Sequence, residues 1–245
     1  MRRMIFTLAF FGNWILFAIA SIPLLAAPRR WCMPVFRAWG RCSIWLLKVI
    51  VGVRTEFRGL ENIPDGPVLV AAKHQSAFET FALATLFDDP SYVLKAELKR
   101  IPFFGLWVRK LDMTAIDRSK GVRALKELAA DAKSAFESGR QLIIFPEGTR
   151  VAPGEPAQYK PGVGLIYEAG DVPCLPVALN SGVVWPSRQR PNKPGLIIVE
   201  ALPVIPPGLP RKQFQRMLEG AIEPATARLI EEIRTDRGTR LPAAD

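Results

Sequence analysis

The pattern of apolar and polar residues changes character near residue 53. From Met4 to Ala27, MIFTLAFFGNWILFAIASIPLLAA, 24 consecutive residues carry no charge. As a helix, that run is long enough to cross a hydrocarbon core of about 30 Å. Gly12, Asn13 and Pro23 interrupt it, which leaves a re-entrant or interface-lying helix pair as a second arrangement. The stretch from Pro34 to Val53 mixes apolar clusters with Arg37, Arg41 and Lys48. Trp31, Trp39 and Trp45 suit a headgroup boundary, where an apolar ring and an N–H donor are both satisfied. Residues 1–53 are therefore expected to form a membrane anchor of two helices, the second amphipathic and surface-bound. A cleaved signal peptide fits less well, because the run exceeds the usual apolar region and Pro28 follows the only small-residue cleavage site.

Residues 54–245 read as one α/β domain. Short apolar runs alternate with amphipathic segments from Gly59 onward. Strands are predicted over Pro67–Ala72, over SYVLK, over MTAI (Met113–Ile116), over Gln141–Phe145, and in CLPVAL and LIIVEAL. Helices are predicted from about Ala77 to Phe87, from Lys120 to Ser138 with Gly139 as the stop, and from about Arg211 to Arg234. Such alternation predicts a mostly parallel central sheet flanked by helices, preceded by the N-terminal membrane-associated pair. Sites in such sheets collect in the loops beyond the carboxyl ends of the strands.

Composition narrows the partners. The chain has 245 residues, 49% of them hydrophobic, and a net charge of +10, which calls for an anionic partner. No nucleic-acid motif or stacking platform accompanies that charge. An anionic membrane surface beside a basic anchor accounts for it. Arg2 and Arg3 precede the apolar run, whereas Arg29, Arg30, Arg37, Arg41 and Lys48 follow it. If the run spans, the heavier positive side stays cytoplasmic, and the rest of the chain with it. Three cysteines without CxxC spacing and a single histidine cannot build the usual zinc set. No metal is expected, and a reducing, cytosol-facing environment is the simplest setting.

The single histidine sits in KHQSAFET, Lys73 to Thr80, and Glu79 follows it by five residues. Positions five apart in a continuous helix differ by about 140° and do not share a face. The two meet only if His74 lies on the loop after a strand and Glu79 in the first helical turn. SAFE has the spacing of a capping box, with Ser76 at the N-cap and Glu79 at the third helical position. Two readings follow from the octapeptide: Glu79 caps the helix beside an ordinary loop histidine, or it orients His74 as a general base. The helix N-terminus favours the ionised carboxylate that the second reading needs. No G-x-S-x-G turn supplies a serine nucleophile. Cys174, inside an apolar strand, reads as packing. The hydroxyl to be activated therefore belongs to a substrate, and transfer is direct.

LIIFPEGTR (Leu142–Arg150) runs a strand into a turn where Gly148 permits a positive φ and Arg150 offers a planar fork to a phosphate. Together these segments resemble the glycerolipid acyltransferase family, which includes the 1-acyl-glycerol-3-phosphate acyltransferases. His74 to Glu79 matches its H-x4-D block as H-x4-E, and FPEGTR matches its third block at Phe145–Arg150. Lys95, Pro102, Gly105 and Arg118 fill the places of the second block, and Pro176 that of the fourth. All four occur in family order between Lys73 and Leu179. Glutamate at 79 and lysine at 73 depart from the commoner aspartate and asparagine.

The resemblance implies acyl transfer from an acyl thioester, on coenzyme A or acyl carrier protein, to the 2-hydroxyl of a lysophospholipid such as lysophosphatidic acid, giving phosphatidic acid. His74 would be the base and Glu79 its orienting acid. Arg118 and Arg150 would hold the acceptor phosphate, with Lys95, Glu147, Gly148 and Thr149 shaping the pocket. No bound cofactor is implied. Three other readings stand beside this one: a sister acyltransferase using another lysolipid, glycerol-3-phosphate or an amino-acid lipid; a thioesterase; and a non-catalytic lipid-binding module.

Overall fold

Short runs of valine, leucine, isoleucine and alanine form strands buried on both faces. β2 (Val68–Ala72), β6 (Gln141–Ile144) and β7 (Cys174–Leu179) are buried at every position. In the computed structural model, which describes residues 2–187, 189–191 and 193–239, they form the centre of a six-stranded sheet. Its order is β1 (Val53–Arg58), β8 (Gly195–Ala201), β7, β2, β6 and β3 (Pro90–Tyr92). Every neighbouring pair is parallel except β7 and β8.

Strand alternation divides the core in two. Val68, Val70 and Ala72 of β2 face one cluster, while Leu69 and Ala71 face the other. Over the second lie α5 (Val122–Glu137), α6 (Gly162–Gly170) and α8 (Arg211–Thr239), contributing Leu128, Ile166 and Phe214. Over the first lie α1 (Arg2–Ala20), α2 (Arg29–Leu46), the short α3 (Glu79–Ala82) and α4 (Phe104–Lys110). A short helix, α7 (Ser181–Val184), follows β7.

The two N-terminal helices pack on the sheet layer. Phe6, Cys32 and Met33 share a buried cluster with Val70 and Phe81. Gly40 of α2 approaches α3 so closely that a Cβ there would lie 2.7 Å from the Phe81 carbonyl oxygen. Asn13, which interrupts the apolar run, donates from Nδ2 to Ser43 Oγ at 3.0 Å and pins α1 to α2. The opposite side of α1 stays bare, with Leu8, Phe11, Ile15, Leu16 and Ile19 exposed. Among the described residues α1 alone is long and apolar enough to cross a membrane.

Three local expectations change. SYVLK is not one strand: β3 ends at Tyr92 beside β6, and Leu94–Lys95 (β4) pairs with Ala115–Ile116 (β5) in a separate two-stranded sheet. MTAI accordingly supplies only that second sheet. The helix expected over 77–87 is a single α turn, α3, followed by a 3-10 turn at Leu83–Thr85. β1 was not anticipated; it is an edge strand whose one signal is the alternation V-R-T-E-F-R.

Candidate active site

The carboxyl ends of β2 and β6 lie side by side in parallel register, Ala71 opposite Ile144. Their outgoing loops therefore meet, and those loops carry KHQS and FPEGT. The Val151 amide donates to the His74 carbonyl at 2.8 Å, joining the two. The His74 ring stacks on Phe145, centroids 4.0 Å apart and planes 13° from parallel.

His74 Nδ1 lies 2.9 Å from Glu79 Oε1. The same oxygen accepts from the Gln75 and Ser76 amides at 2.6 and 2.7 Å. Oε2 accepts from Ser181 Oγ at 2.8 Å and Ser76 Oγ at 3.1 Å. One carboxylate thus closes the loop main chain and also binds the imidazole; the helix begins at Glu79 itself with Phe78 as its N-cap, so Ser76 is not the N-cap that the spacing suggested. Glu79 is fully buried. Burial opposes its charge, but the His74 hydrogen bond and charge, then Ser76 and Ser181, outweigh it and hold the carboxyl below its ordinary value. With Nδ1 committed, Nε2 is the nitrogen left for a substrate.

His74 and Phe145 line a cavity of about 1110 Å³ with a polar end and a long apolar body. Lys95, Arg118, Gly148, Thr149 and Arg150 all line it, as does Lys160. Arg118 Nη2 donates to the Gly148 carbonyl at 2.8 Å, and Arg150 Nη1 to the Ser187 carbonyl at 3.3 Å. Both side chains are otherwise exposed to the cleft. Gly148 adopts φ +64°, and a Cβ there would stand 2.9 Å from Arg118 Nη2; the position needs glycine twice over. The apolar body runs between α1, α2 and α4, past Trp14, Phe17, Phe36 and Trp107.

Glu147 sits elsewhere. It is buried and accepts from the His74 amide at 3.3 Å, with Lys73 Nζ also 3.3 Å away. Lys73 is itself buried and donates to both oxygens of Glu223 on α8 at 2.8 Å, where Tyr159 Oη joins at 2.9 Å. Burial pushes the Glu147 carboxyl up, partly offset by Lys73. Glu147 thus lies behind the loop, against the His74 main chain, and is absent from the cavity wall.

Sequence reasoning passed over Ser181, Lys160 and the Lys73–Glu223 contact. Ser181 is 102 positions from Glu79 and reaches it only because β7 lies beside β2. Lys160 is brought in by its amide, which donates to the Pro146 carbonyl at 2.8 Å. No local spacing announces either contact.

Known proteins of similar sequence and fold identify the family. The chain is 42% identical to the 1-acyl-sn-glycerol-3-phosphate acyltransferase of Pseudomonas aeruginosa over 192 residues, covering 78% of this chain and 73% of that one. It is 30% identical to a Saccharomyces cerevisiae protein of the same name over 167 residues, 66% of this chain and 55% of that one. The fold is similar to that of the crystal structure of the 1-acyl-sn-glycerophosphate (LPA) acyltransferase PlsC from Thermotoga maritima. The TM-score is 0.76 at 22% identity, covering 96% of this chain and 98% of that one. The Acyltransferase family model matches residues 54–180, a span that begins in β1, ends just after β7 and contains both loops of the cleft, and the chain belongs to that family.

Proposed function

We propose that the protein transfers a fatty acyl group from an acyl thioester to the 2-hydroxyl of lysophosphatidic acid, giving phosphatidic acid. The observation that carries this reading is the His74–Glu79 pair at the polar end of a cavity whose body is apolar and whose mouth holds Arg118, Arg150 and Lys160. The relatives named above support the choice of acceptor.

In this scheme the acceptor phosphate lies against Arg118 and Arg150, with Lys160 and Lys95 adding positive charge. The glycerol hydroxyl then reaches His74 Nε2. As that hydroxyl oxygen attacks the thioester carbonyl, its proton passes to Nε2, and Glu79 stabilises the imidazolium through Nδ1–H. The tetrahedral intermediate collapses with loss of the thiolate, which takes the proton back from Nε2. A positioned base contributes typically about 10²–10⁴-fold. Holding hydroxyl and carbonyl in contact contributes at least as much. The fatty chains occupy the apolar body, and the carrier, coenzyme A or acyl carrier protein, stays outside as part of the donor substrate. No bound cofactor takes part in the scheme. The bare face of α1 supports a membrane location for the enzyme, and the charge asymmetry around that helix supports a cytoplasmic side for the domain.

The test is phosphatidic acid formation by detergent-solubilised protein from lysophosphatidic acid, with acyl-coenzyme A and acyl-carrier protein compared. Wild type is expected to turn over and His74→Ala to lose activity. Turnover unchanged in His74→Ala, or acid release independent of lysolipid, overturns the scheme.

A further inference from the structure

The segment before and within α4 carries apolar side chains that no described residue covers. Phe103 is 68% exposed, Ile101 46% and Leu106 39%. Their neighbours Phe104, Trp107 and Val108 turn the other way and line the apolar cavity. The outward set is therefore a second face, not an extension of the core. Phe103 also holds φ +59°, ψ −52°, a conformation that a bulky L residue rarely adopts. The backbone there presents the ring outward at a conformational cost. Cations flank the apolar tip: Lys99 and Arg100 before it, Arg109 and Lys110 after it. Arg109 Nη1 donates to the Lys99 carbonyl at 2.7 Å and closes the segment into a knuckle.

The knuckle is tied to the N-terminal hairpin. Lys110 Nζ donates to the Leu25 carbonyl at 2.8 Å and also to the Ala27 carbonyl, at the turn between α1 and α2. α4 is seven residues long, about 10 Å, so Phe103 lies that far along α4 from Lys110. α4 and the hairpin also share the walls of one cavity, with Trp107 on one side and Phe17 and Phe36 on the other.

We propose that the Lys99–Arg109 knuckle is a second membrane-docking element, which inserts Ile101, Phe103 and Leu106 into an anionic bilayer surface beside α1. An apolar tip needs the acyl boundary, and the cations beside it, Lys99, Arg100 and Arg109, need lipid phosphates around them. A protein partner accounts for the tip less well, because α4 shares one cavity with α1, whose outer face is itself bare and apolar. The proposal rests on the membrane reading of α1. It adds that the cavity wall built from α4 is held at the lipid surface, so that a fatty chain passes from leaflet to cavity along α4.

The test uses nitroxide labels at Phe103→Cys and, as reference, at Ile15→Cys on α1. Both are made in a Cys42→Ser background, since Cys32 and Cys174 are buried. Each protein is mixed with vesicles of phosphatidylcholine, with and without phosphatidylglycerol. Both labels are expected to gain collisions with oxygen and lose collisions with an aqueous nickel chelate on the anionic vesicles. An inserted Ile15 label with an aqueous Phe103 label overturns the knuckle alone, whereas two aqueous labels overturn the membrane reading of α1 as well. Equal insertion of Phe103 without phosphatidylglycerol overturns the role given to the cations. As a second measurement, Ile101→Asp/Phe103→Asp is expected to raise the KM for vesicle-borne lysolipid about tenfold while turnover in detergent stays at the wild-type level. An unchanged KM on vesicles overturns the proposal.

Discussion

His74 Nδ1 is held 2.9 Å from Glu79 Oε1, on a carboxylate that also collects two main-chain amides and two serine hydroxyls. The imidazole is thereby oriented by a group that the loop itself keeps in place. Glu79→Gln is expected to fold less stably and to lower kcat by about 10²-fold or more, because its amide nitrogen cannot accept what a carboxylate accepts. Ser181→Ala removes one donor from Oε2 and is expected to cost about 1 kcal/mol of stability and a smaller part of kcat. Steady-state kinetics with a denaturation curve for each variant separates the two effects.

The pH dependence of stability has a definite sign. The folded carboxyl of Glu79 lies below its ordinary value of 4.5. Its contribution is therefore complete above pH 4.5 and is lost as pH falls through the lower folded value. Unfolding midpoints measured from neutral pH downward are expected to fall more steeply below pH 4.5 in wild type than in Glu79→Gln. Parallel curves for the two proteins refute the assignment.

Lys73 joins β2 to α8 through Glu223 and stands beside the buried carboxyl of Glu147. Removing the cation leaves two carboxylates without their partner, so Lys73→Met is expected to cost about 3 kcal/mol. Lys73→Met/Glu223→Leu is expected to recover only part of that loss, since it removes the Glu223 charge but leaves buried Glu147 without the cation. Urea denaturation of both variants and of Glu223→Leu completes the double-mutant cycle.

Gly148→Ala places a methyl group at a positive φ and against Arg118 Nη2. It is expected to destabilise by about 1–2 kcal/mol and to raise the KM for the phosphate-bearing acceptor without changing the KM for the acyl donor. Kinetics with each substrate varied in turn tests that split.

Arg118→Ala and Arg150→Ala are each expected to raise the acceptor KM by about 10–100-fold, as loss of a charge-assisted contact predicts. Lysine in place of either recovers only part, because an ammonium does not reproduce the planar fork. Lys160→Ala is expected to act in the same direction by a smaller factor. Acceptor titrations at saturating donor provide the measurement.

Much of this was legible in local pattern. The buried strands β2, β6 and β7 announce themselves as short apolar runs. α5 shows a clear helical period with a stop at Gly139, which adopts φ +77°. Those signals are local because a strand or helix buries a face set by its own periodicity. His74, Glu79 and the FPEGTR turn were visible for the same reason, each being a compact segment. What the residues alone did not reveal depends on which strands become neighbours. Ser181 meets Glu79 because β7 pairs with β2, and Lys73 meets Glu223 because α8 packs behind β7. SYVLK divides between two sheets because Tyr92 finds β6 and Leu94 finds β5. Such contacts close loops of up to 150 residues, and the burial that stabilises them is non-directional, so no spacing in the chain encodes them; only the packed sheet decides.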